Sequence, residues 1–574
     1  MSVKDLFSFI KLLKKENELV EIKTLVDPTL EIAEIHRNVA KQNGPALLFT
    51  KVKNSKFPVV TNLFGSERRL ELALPFAFDT WSENMLTLLQ KPSLKSLFSH
   101  RKQLYPLFKM GTKKRLFAPV LQQKIDPVDL DQLPLLKLWE DDGGHFLTLP
   151  IVHTQYDNIS NLGMYRMQRF SKNTMGLHCQ IGKGGGFHYH KYEKLNQNMP
   201  VHVFLGGHPA LILASIMPLP ENVSELIFAS LLMQKKLNVY RNTPILCDAE
   251  FCLKGFVRPK LREMEGPFGD HYGFYSLKHP YPVFECTHIF HKKNAIYPAT
   301  VVGKPRQEDF YIGVLLQKLL KPLIKFVMPS ITDLYSYPET GFHPLAAAVV
   351  KERYKKEVYT TAFRILGEGQ LSLTKCLILI DEPLDLSNFK AVLEYLLARI
   401  NFHEDLFIFS NVPLDSLDYN TQTLNVGSKL VLCGLGKPIR TLETHENLPK
   451  FIKTASFFCK GCLVVEIENE TSLEHLKRIQ AFVMIVVVDN VQEACQNQES
   501  FLWIVFLRID PAKDVHLPIE NTKHHKLYYA PPLILDARLK PHLPKIVASN
   551  AEIEQKVKAN WDHYFEKQET HLGR

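Results

Sequence analysis

The chain is predicted to be a multidomain α+β/α/β protein, and three observations carry that reading. Its 574 residues exceed what one core holds, since domains usually run about 100–200 residues. The middle third breaks into short β-runs bounded by Gly and Pro, and both flanks alternate apolar strand runs with helical patterns. The predicted division is an N-terminal α/β domain over residues 1–115, a central antiparallel β-barrel-like domain over 116–325, a C-terminal α/β domain with a mostly parallel sheet over 326–545, and a terminal helix over 546–574.

At the N-terminus Ser2 with Asp5 resembles a capping box, and Val3, Leu6, Phe7, Ile10 and Leu13 make one helical face. Asp27-Pro28 looks like the N-cap and first position of a second helix, with Ile32, Ile35 and Val39 at helical spacing and Gly44 ending it. Ala46-Leu-Leu-Phe then begins a strand, and residues 91–135, rich in Lys, Leu and Pro, read as a connector. In the middle, Pro200-Val-His-Val-Phe-Leu, Phe251-Cys-Leu-Lys-Gly-Phe-Val and Tyr281-Pro-Val-Phe-Glu-Cys-Thr-His-Ile-Phe have the length and punctuation of antiparallel strands. Beyond residue 325, Cys376-Leu-Ile-Leu-Ile-Asp, Leu406-Phe-Ile-Phe, Leu463-Val-Val-Glu-Ile and Phe482 to Val488 are buried-strand runs. Helices are expected between them at 386–400 and 472–479, and 551–568 reads as an exposed helix available to a partner subunit. No internal repeat is visible.

Composition narrows the function. Apolar residues at 45% and charged residues at 23% are a globular balance. The net charge of +10, from 70 basic and 60 acidic residues, is spread along the chain. No Lys/Arg tract interleaves with aromatics, which argues against a nucleic-acid partner, while the basic excess suits anionic acids. The N-terminus lacks a signal-like apolar stretch, and the longest apolar run, Ala481 to Val488, is far short of the roughly 20 residues a membrane helix needs. Peripheral membrane contact is the remaining membrane association. Nine scattered cysteines point to reduced thiols and a cytoplasmic location. Cys459-x-x-Cys462 has no second ligand pair for tetrahedral zinc.

Three segments of the β-rich middle concentrate unusual chemistry. Asn161-Leu-Gly-Met-Tyr-Arg166-Met-Gln168 sets Asn, Arg and Gln among apolar residues, and those groups need partners. Asn161 and Arg166 differ in strand parity, so a shared site requires a bulge or a strand end between them. His178-Cys-Gln180 followed by Gly182-Lys183-Gly-Gly-Gly186 can turn backbone N–H groups onto a phosphate, although it lacks the spacing of the known nucleotide loops. Glu265-Gly-Pro-Phe-Gly-Asp270 fixes a stiff loop with a carboxylate at each end, whose pKa values can be pushed apart. Between them, Ala214-Ser-Ile-Met-Pro-Leu-Pro-Glu-Asn-Val-Ser-Glu225 offers oxygen donors suited to hard cations. Singly, these segments also read as a strand edge, a flexible loop, an acidic turn and a capped proline loop.

In this order, the four motifs resemble the UbiD family of prenyl-FMN-dependent decarboxylases. Pro45-Ala-Leu-Leu-Phe, Asn62-Leu-Phe-Gly and Asn425-Val-Gly-Ser-Lys429 are similar to that family as well. Phe501-Leu-Trp-Ile-Val-Phe and Pro532-Leu-Ile-Leu-Asp-Ala-Arg-Leu-Lys-Pro are similar to its longer branch, linked to menaquinone synthesis. The resemblance implies that Asn161 and Glu225 hold a divalent metal, usually manganese, at the phosphate of prenylated FMN. It implies cofactor contacts from Met164, Tyr165, Arg166, His178, Cys179, Gln180, Lys183 and Gly184, and a potassium ion near Ala214, Ser215 and Met217. Family members commonly carry a histidine metal ligand where this chain has Gly182; His188 or His190, from the following loop, is the available substitute.

The implied catalytic set is Arg166, Glu265 and Asp270. Asp270 is expected to donate the proton that replaces CO2, with Glu265 offsetting Arg166 so that Asp270 holds a proton near neutral pH. Arg166 is expected to orient the substrate carboxylate as well. The substrate is expected to be an aromatic or unsaturated carboxylic acid, a naphthoate of menaquinone synthesis or else a polyprenyl hydroxybenzoate of ubiquinone synthesis. A flavin prenyltransferase is the implied cofactor supplier, and relatives imply a homodimer or homohexamer. The rivals are a non-catalytic flavin or metal binder, an ordinary flavin oxidoreductase and an assembly module.

Overall fold

A computed structural model describes residues 3–565 apart from 76–108, 158, 180–183, 218, 220–222, 305, 422, 443–447, 450, 469–470, 480 and 525. The chain divides into two compact units, residues 1–318 with 544–574, and residues 319–543.

In the first unit, the opening helix Leu6–Lys15 is capped by Asp5, which forms its capping box with Ser8; Ser2, the expected partner, lies outside the described residues. Leu6, Phe9, Ile10, Leu12 and Leu13 are its buried face. The second helix starts later than expected, at Glu31–Lys41, because the Asp27 carboxylate accepts from Thr29 N–H and pairs with Lys53 instead of capping. It ends at Gln42, ahead of the expected Gly44. Strands Leu19–Val26, Ala46–Val52, Val59–Thr61 and Tyr297–Pro298 form one mixed sheet in that order.

The central sheet has nine strands, and its pairings are antiparallel. Its order runs Phe146–Leu147, Met167–Arg169, Thr174–Leu177, His279–His291, Phe251–Glu265, Met199–Leu205, Ile151–Tyr156, Ile159–Met164, with Gln123–Ile125 beside His279–His291. The expected barrel does not close: among the described residues, no ladder joins Ile159–Met164 to Phe146–Leu147 or Met167–Arg169. Yet Met164 and Met167, on opposite ends of the sheet, are three residues apart in the chain. Three Cα steps span at most about 11 Å, so the sheet curls until its ends face each other across an unzipped seam. Tyr165 and Arg166 are that seam. The inner face, including Val201, Val203, Leu253, Phe251 and Ile289, shares one core with Ile22, Leu47 and Phe49 of the first sheet.

The terminal helix Ala551–Ala559 and the turn Trp561–Tyr564 return to this same core. Val557 and Tyr564 are buried there, Tyr564 Oη donates to Glu31 at 2.7 Å and Lys556 pairs with Glu31 at 2.9 Å. The helix thus packs Val557 on its own chain, while most of its other residues are exposed.

The second unit corrects two expectations. The sheet is not mostly parallel, and a repeat is present. Strands Ile331–Ser336, Leu345–Val350, Cys376–Ile380, Gly427–Gly434 and Leu406–Val412 lie in that order, paired antiparallel, parallel, parallel, antiparallel. Strands Ile452–Cys459, Cys462–Ile467, Met484–Val487, Leu533–Asp536 and Val515–His516 repeat both the order and the orientations. The copies agree in detail. Helices Phe389–Arg399 and Gln498–Arg508 have equal length and are N-capped by Asn388 and Asn497. Asp381 accepts from Gly436 N–H at 2.8 Å, and Asp489, at the matching position, from Leu539 N–H at 2.7 Å. Leu430-Val-Leu-Cys-Gly-Leu-Gly-Lys-Pro438 matches Leu533-Ile-Leu-Asp-Ala-Arg-Leu-Lys-Pro541. The repeat is hidden in the sequence because buried positions need only apolar side chains, and the second copy carries an extra hairpin, Ile519–Lys523 with Lys526–Tyr529.

Replacing Tyr564 with Ala removes a buried aromatic and orphans part of Glu31, so the first unit should lose about 3 kcal/mol. Calorimetric unfolding of the variant checks this, with the second unit's transition expected to stay in place.

Candidate active site

The seam sets Arg166 between the ends of the Glu265–Asp270 loop. The long strand Phe251–Glu265 delivers Glu265, fully buried, against the guanidinium: Arg166 Nε donates to Oε1 at 2.9 Å and Nη2 to Oε2 at 3.2 Å. Arg166 Nη1 donates to Asp270 Oδ2, Nη2 also donates to Ser276 Oγ at 3.0 Å, and the guanidinium lies over the Phe268 ring at 4.6 Å. The strand end that parity demanded between Asn161 and Arg166 is present, at Met164.

Burial by itself pushes the Glu265 carboxyl up, but Arg166 and His178 outweigh it and hold it at about 2. His178, buried, has its own pKa lowered by burial and by Arg166. Its Nδ1 lies 3.0 Å from Glu265 Oε2 and its Nε2 3.4 Å from Tyr281 Oη. An ionised carboxylate only accepts, so Nδ1 carries the hydrogen and Nε2 faces the tyrosine hydroxyl.

Asp270 departs from expectation. Burial works against its charge, yet His271 and Arg166 hold it well below the usual carboxylate range. His271 donates to Oδ1 from its backbone N–H at 2.7 Å and from Nδ1 at 2.5 Å. Asp270 is therefore a carboxylate here and does not retain a proton near neutral pH, because Glu265 offsets only one of two nearby donors. Arg166 is likewise engaged with two carboxylates and a hydroxyl.

Several of the residues implied for a cofactor or metal, Asn161, Tyr165, Gly184 and Glu225, gather beside the seam. Leu162 N–H donates to Glu225 Oε2 at 3.1 Å, which brings the Glu225 carboxylate next to Asn161; burial pushes that carboxyl up. Asn161 Nδ2 lies 3.4 Å from both Tyr165 Oη and Thr154 Oγ1, and Tyr165 Oη accepts from Gly185 N–H at 3.1 Å. Gly184–Lys194 is a helix whose first residues press on this cluster. A Cβ on Gly184 would stand 2.1 Å from Asn161 Oδ1, so the close approach requires glycine. A helix N-terminus beside two hard oxygen donors suits an anion and a hard cation.

Other expected residues divide. Met164 ends its strand, and Cys179 is buried with its thiol pushed up to about 12. Gln180, Gly182 and Lys183 lie outside the described residues. Ala214, Ser215 and Met217 form the C-terminal end of helix Pro209–Ile216, where Ser215 Oγ donates to Ile212 O at 2.8 Å. His188 and His190 lie on a helix instead of a loop; His190 is exposed, and His188 Nδ1 is 2.9 Å from Thr154 Oγ1, one partner removed from Asn161. Among the described residues no group of three or more His, Cys, Asp or Glu is placed to hold a metal. Sequence reasoning missed His271, Ser276 and Tyr281; the adjacency of His271 to Asp270 was the one available signal.

Family profiles match residues 10–83, 112–305 and 310–434 to the N-terminal, Rift-related and C-terminal domains of 3-octaprenyl-4-hydroxybenzoate carboxy-lyase. The last match ends with the first copy of the repeat. The chain is 48% identical to an uncharacterized protein of Chlamydia muridarum, over 97% of this chain and 99% of the relative. It is 47% identical to a 4-hydroxybenzoate decarboxylase subunit of Chlamydia pneumoniae, over 98% of each. Among solved structures, vanillic acid decarboxylase of Sedimentibacter hydroxybenzoicus in closed form aligns with TM-score 0.67 and 25% identity, covering 78% of this chain and 96% of that one. The UbiD-class enzyme HmfF of Pelotomaculum thermopropionicum, in complex with FMN, aligns with TM-score 0.62 and 21% identity over 78% and 97%, a likeness of fold alone. Among the described residues no helix is long and apolar enough to cross a membrane.

Glu265 is depressed from an ordinary 4.5 to about 2, so its stabilisation is present above the upper value and lost as pH falls through the lower. Glu265→Gln should therefore be less stable than the parent at neutral pH, with the gap narrowing as the medium is acidified through that window; denaturant titrations across pH check it.

Proposed function

The chain belongs to the UbiD family of carboxy-lyases, and we propose that it releases CO2 from an aromatic carboxylic acid with prenylated FMN and a divalent metal as cofactors. The observation that carries this reading is the buried Arg166 held between Glu265 and Asp270 at the open seam, beside the Asn161–Glu225 oxygens.

Asn161, Glu225 and the helix N-terminus at Gly184 would hold the phosphate and its metal, with Met164, Tyr165, His178 and Cys179 along the flavin and Gln180 and Lys183 from the adjoining segment. Manganese suits the hard oxygen donors. The negative end of helix Pro209–Ile216, at Ala214, Ser215 and Met217, favours a potassium ion. When bound, the prenylated flavin supplies the electron sink for the pair left as CO2 departs.

The protein's share is positioning and proton delivery. The C–C bond to the carboxylate breaks, CO2 leaves, and one proton must reach the same carbon. Asp270 is the donor. Because it rests ionised, it takes that proton first from Nδ1 of His271 in its imidazolium form, 2.5 Å from Oδ1, which leaves a neutral imidazole, and it returns to the carboxylate on giving the proton up. Asp309, half-buried and pushed up to about 6 by burial, lies in the field of His271 and Asp270 and can replenish the imidazole. Glu265 and Ser276 hold Arg166 in place, and Arg166 holds Asp270.

The substrate reading is a hydroxylated arenecarboxylate. The name of the Chlamydia pneumoniae relative supports 4-hydroxybenzoate chemistry. The long C-terminal part supports a menaquinone-pathway naphthoate, with a polyprenyl hydroxybenzoate of ubiquinone synthesis as the alternative. Supply of the cofactor by a flavin prenyltransferase and assembly as a homodimer or homohexamer in the cytoplasm complete the reading.

Co-expression with a flavin prenyltransferase, followed by CO2 assays on 4-hydroxybenzoate, a polyprenyl hydroxybenzoate and a dihydroxynaphthoate, tests the substrate. Asp270→Asn is expected to keep its flavin and lose CO2 release by at least ~100-fold; substantial turnover would refute the donor role. Glu225→Ala is expected to lose metal and then cofactor, and unchanged metal on elemental analysis would count against its ligand role.

A further inference from the structure

A second loop, residues 138–144, grips the Glu265–Asp270 loop from behind. Asp142, 4% exposed, accepts three backbone N–H groups: Leu138 at 3.0 Å and Trp139 at 2.9 Å on Oδ2, and Gly269 at 2.8 Å on Oδ1. Gly269 is the residue before Asp270. Gly143 N–H donates to Pro267 O at 2.8 Å, while Gln168 joins the two loops by donating to Gly143 O at 2.9 Å and accepting from Gly266 N–H at 2.7 Å. The loops touch so closely that a Cβ on Gly143 would stand 2.2 Å from Gly266 O, and one on Gly269 2.1 Å from the Trp139 ring. Trp139 is itself fixed, donating from Nε1 to Val302 O at 2.9 Å under the Arg37 guanidinium.

We propose that Asp142 is a positioning residue: its carboxylate latches Gly269 and so sets Asp270 against Arg166 and His271. This rests on the proton-donor reading of Asp270. Nothing else in the 138–144 loop explains a buried carboxylate with both oxygens turned on backbone donors of two different loops. An anion there is costly. Burial pushes the Asp142 carboxyl up to about 6 against the pull of its three N–H donors and Arg166. The charged and titratable groups facing it are Arg166 from the seam, Arg37 from helix Glu31–Lys41, Tyr275 beyond the loop, and Glu140 and Asp141 on its own loop, the latter paired with Lys545. With its folded value raised, ionised Asp142 costs stability against global unfolding as pH rises from its ordinary 3.8 through about 6, whereas release of Gly269 alone removes an N–H donor from a carboxyl that stays buried, and protonation favours that local release. On protonation one oxygen becomes a hydroxyl, one of the three N–H groups loses its acceptor, and the latch loosens.

The test compares the flavin-loaded enzyme with Asp142→Asn, whose amide has one acceptor for two loops. Hydrogen–deuterium exchange is read on peptides covering residues 265–276, and CO2 release on 4-hydroxybenzoate as probe. The variant should exchange at Gly269 at least ~10-fold faster, with flavin content and KM kept and kcat lowered roughly 100-fold, the effect of a misplaced reacting group. Unchanged exchange overturns the latch, and faster exchange with unchanged kcat overturns the positioning role. If the variant does not fold, the parent alone decides: after correction for intrinsic rates, its Gly269 amide should lose protection as pH falls through about 6, and flat protection overturns the proposal. If the parent does not turn over the probe, the substrate reading fails while the exchange result still stands.

Discussion

One guanidinium between two buried carboxylates is the interaction on which the site depends. Burial disfavours the charge on both carboxylates; Arg166, with His178, holds Glu265 ionised, and His271 together with Arg166 holds Asp270 ionised. The three meet only because the central sheet curls without zipping. A closed ladder would spend the backbone at Tyr165 and Arg166 on strand pairing. The open seam instead frees two residues to turn a polar side chain inward.

Around that ion cluster, each neighbour has a definable part. His178 relays a hydrogen bond from Tyr281 to Glu265, and Ser276 ties Arg166 to the backbone of Phe268. His271 adds a second donor to Asp270, which turns a carboxylic acid into a carboxylate with a proton source alongside. Asp142 and Gln168 brace the loop from the other side. The site is thus rigid where the proton is placed, and the oxygens of Asn161 and Glu225 lie beside it at the N-terminus of a glycine-opened helix.

The second unit answers to a different constraint. Two copies of one five-stranded module keep the same order, the same helix caps and the same aspartate-to-backbone bond while most of their side chains differ. What persists is what the backbone requires: a cap where N–H groups would be orphaned, and an acceptor where a strand end turns. The family match reaches only the first copy.

The sequence by itself determined the α/β flanks, the β-rich middle and the residues worth watching. Helical spacing in 31–41 and the apolar run at Cys376–Ile380 depend on local periodicity, and glycines and paired acids declare themselves by type. Parity even required a break between Asn161 and Arg166. Tertiary structure decided the rest. Whether a sheet closes, whether a terminal helix meets its own chain, and whether Asp270 is charged all depend on neighbours remote in sequence. Asp270 reads as a potential acid until Arg166, 104 positions earlier, and His271 are brought against it, and electrostatic energy in a buried site follows distance in space.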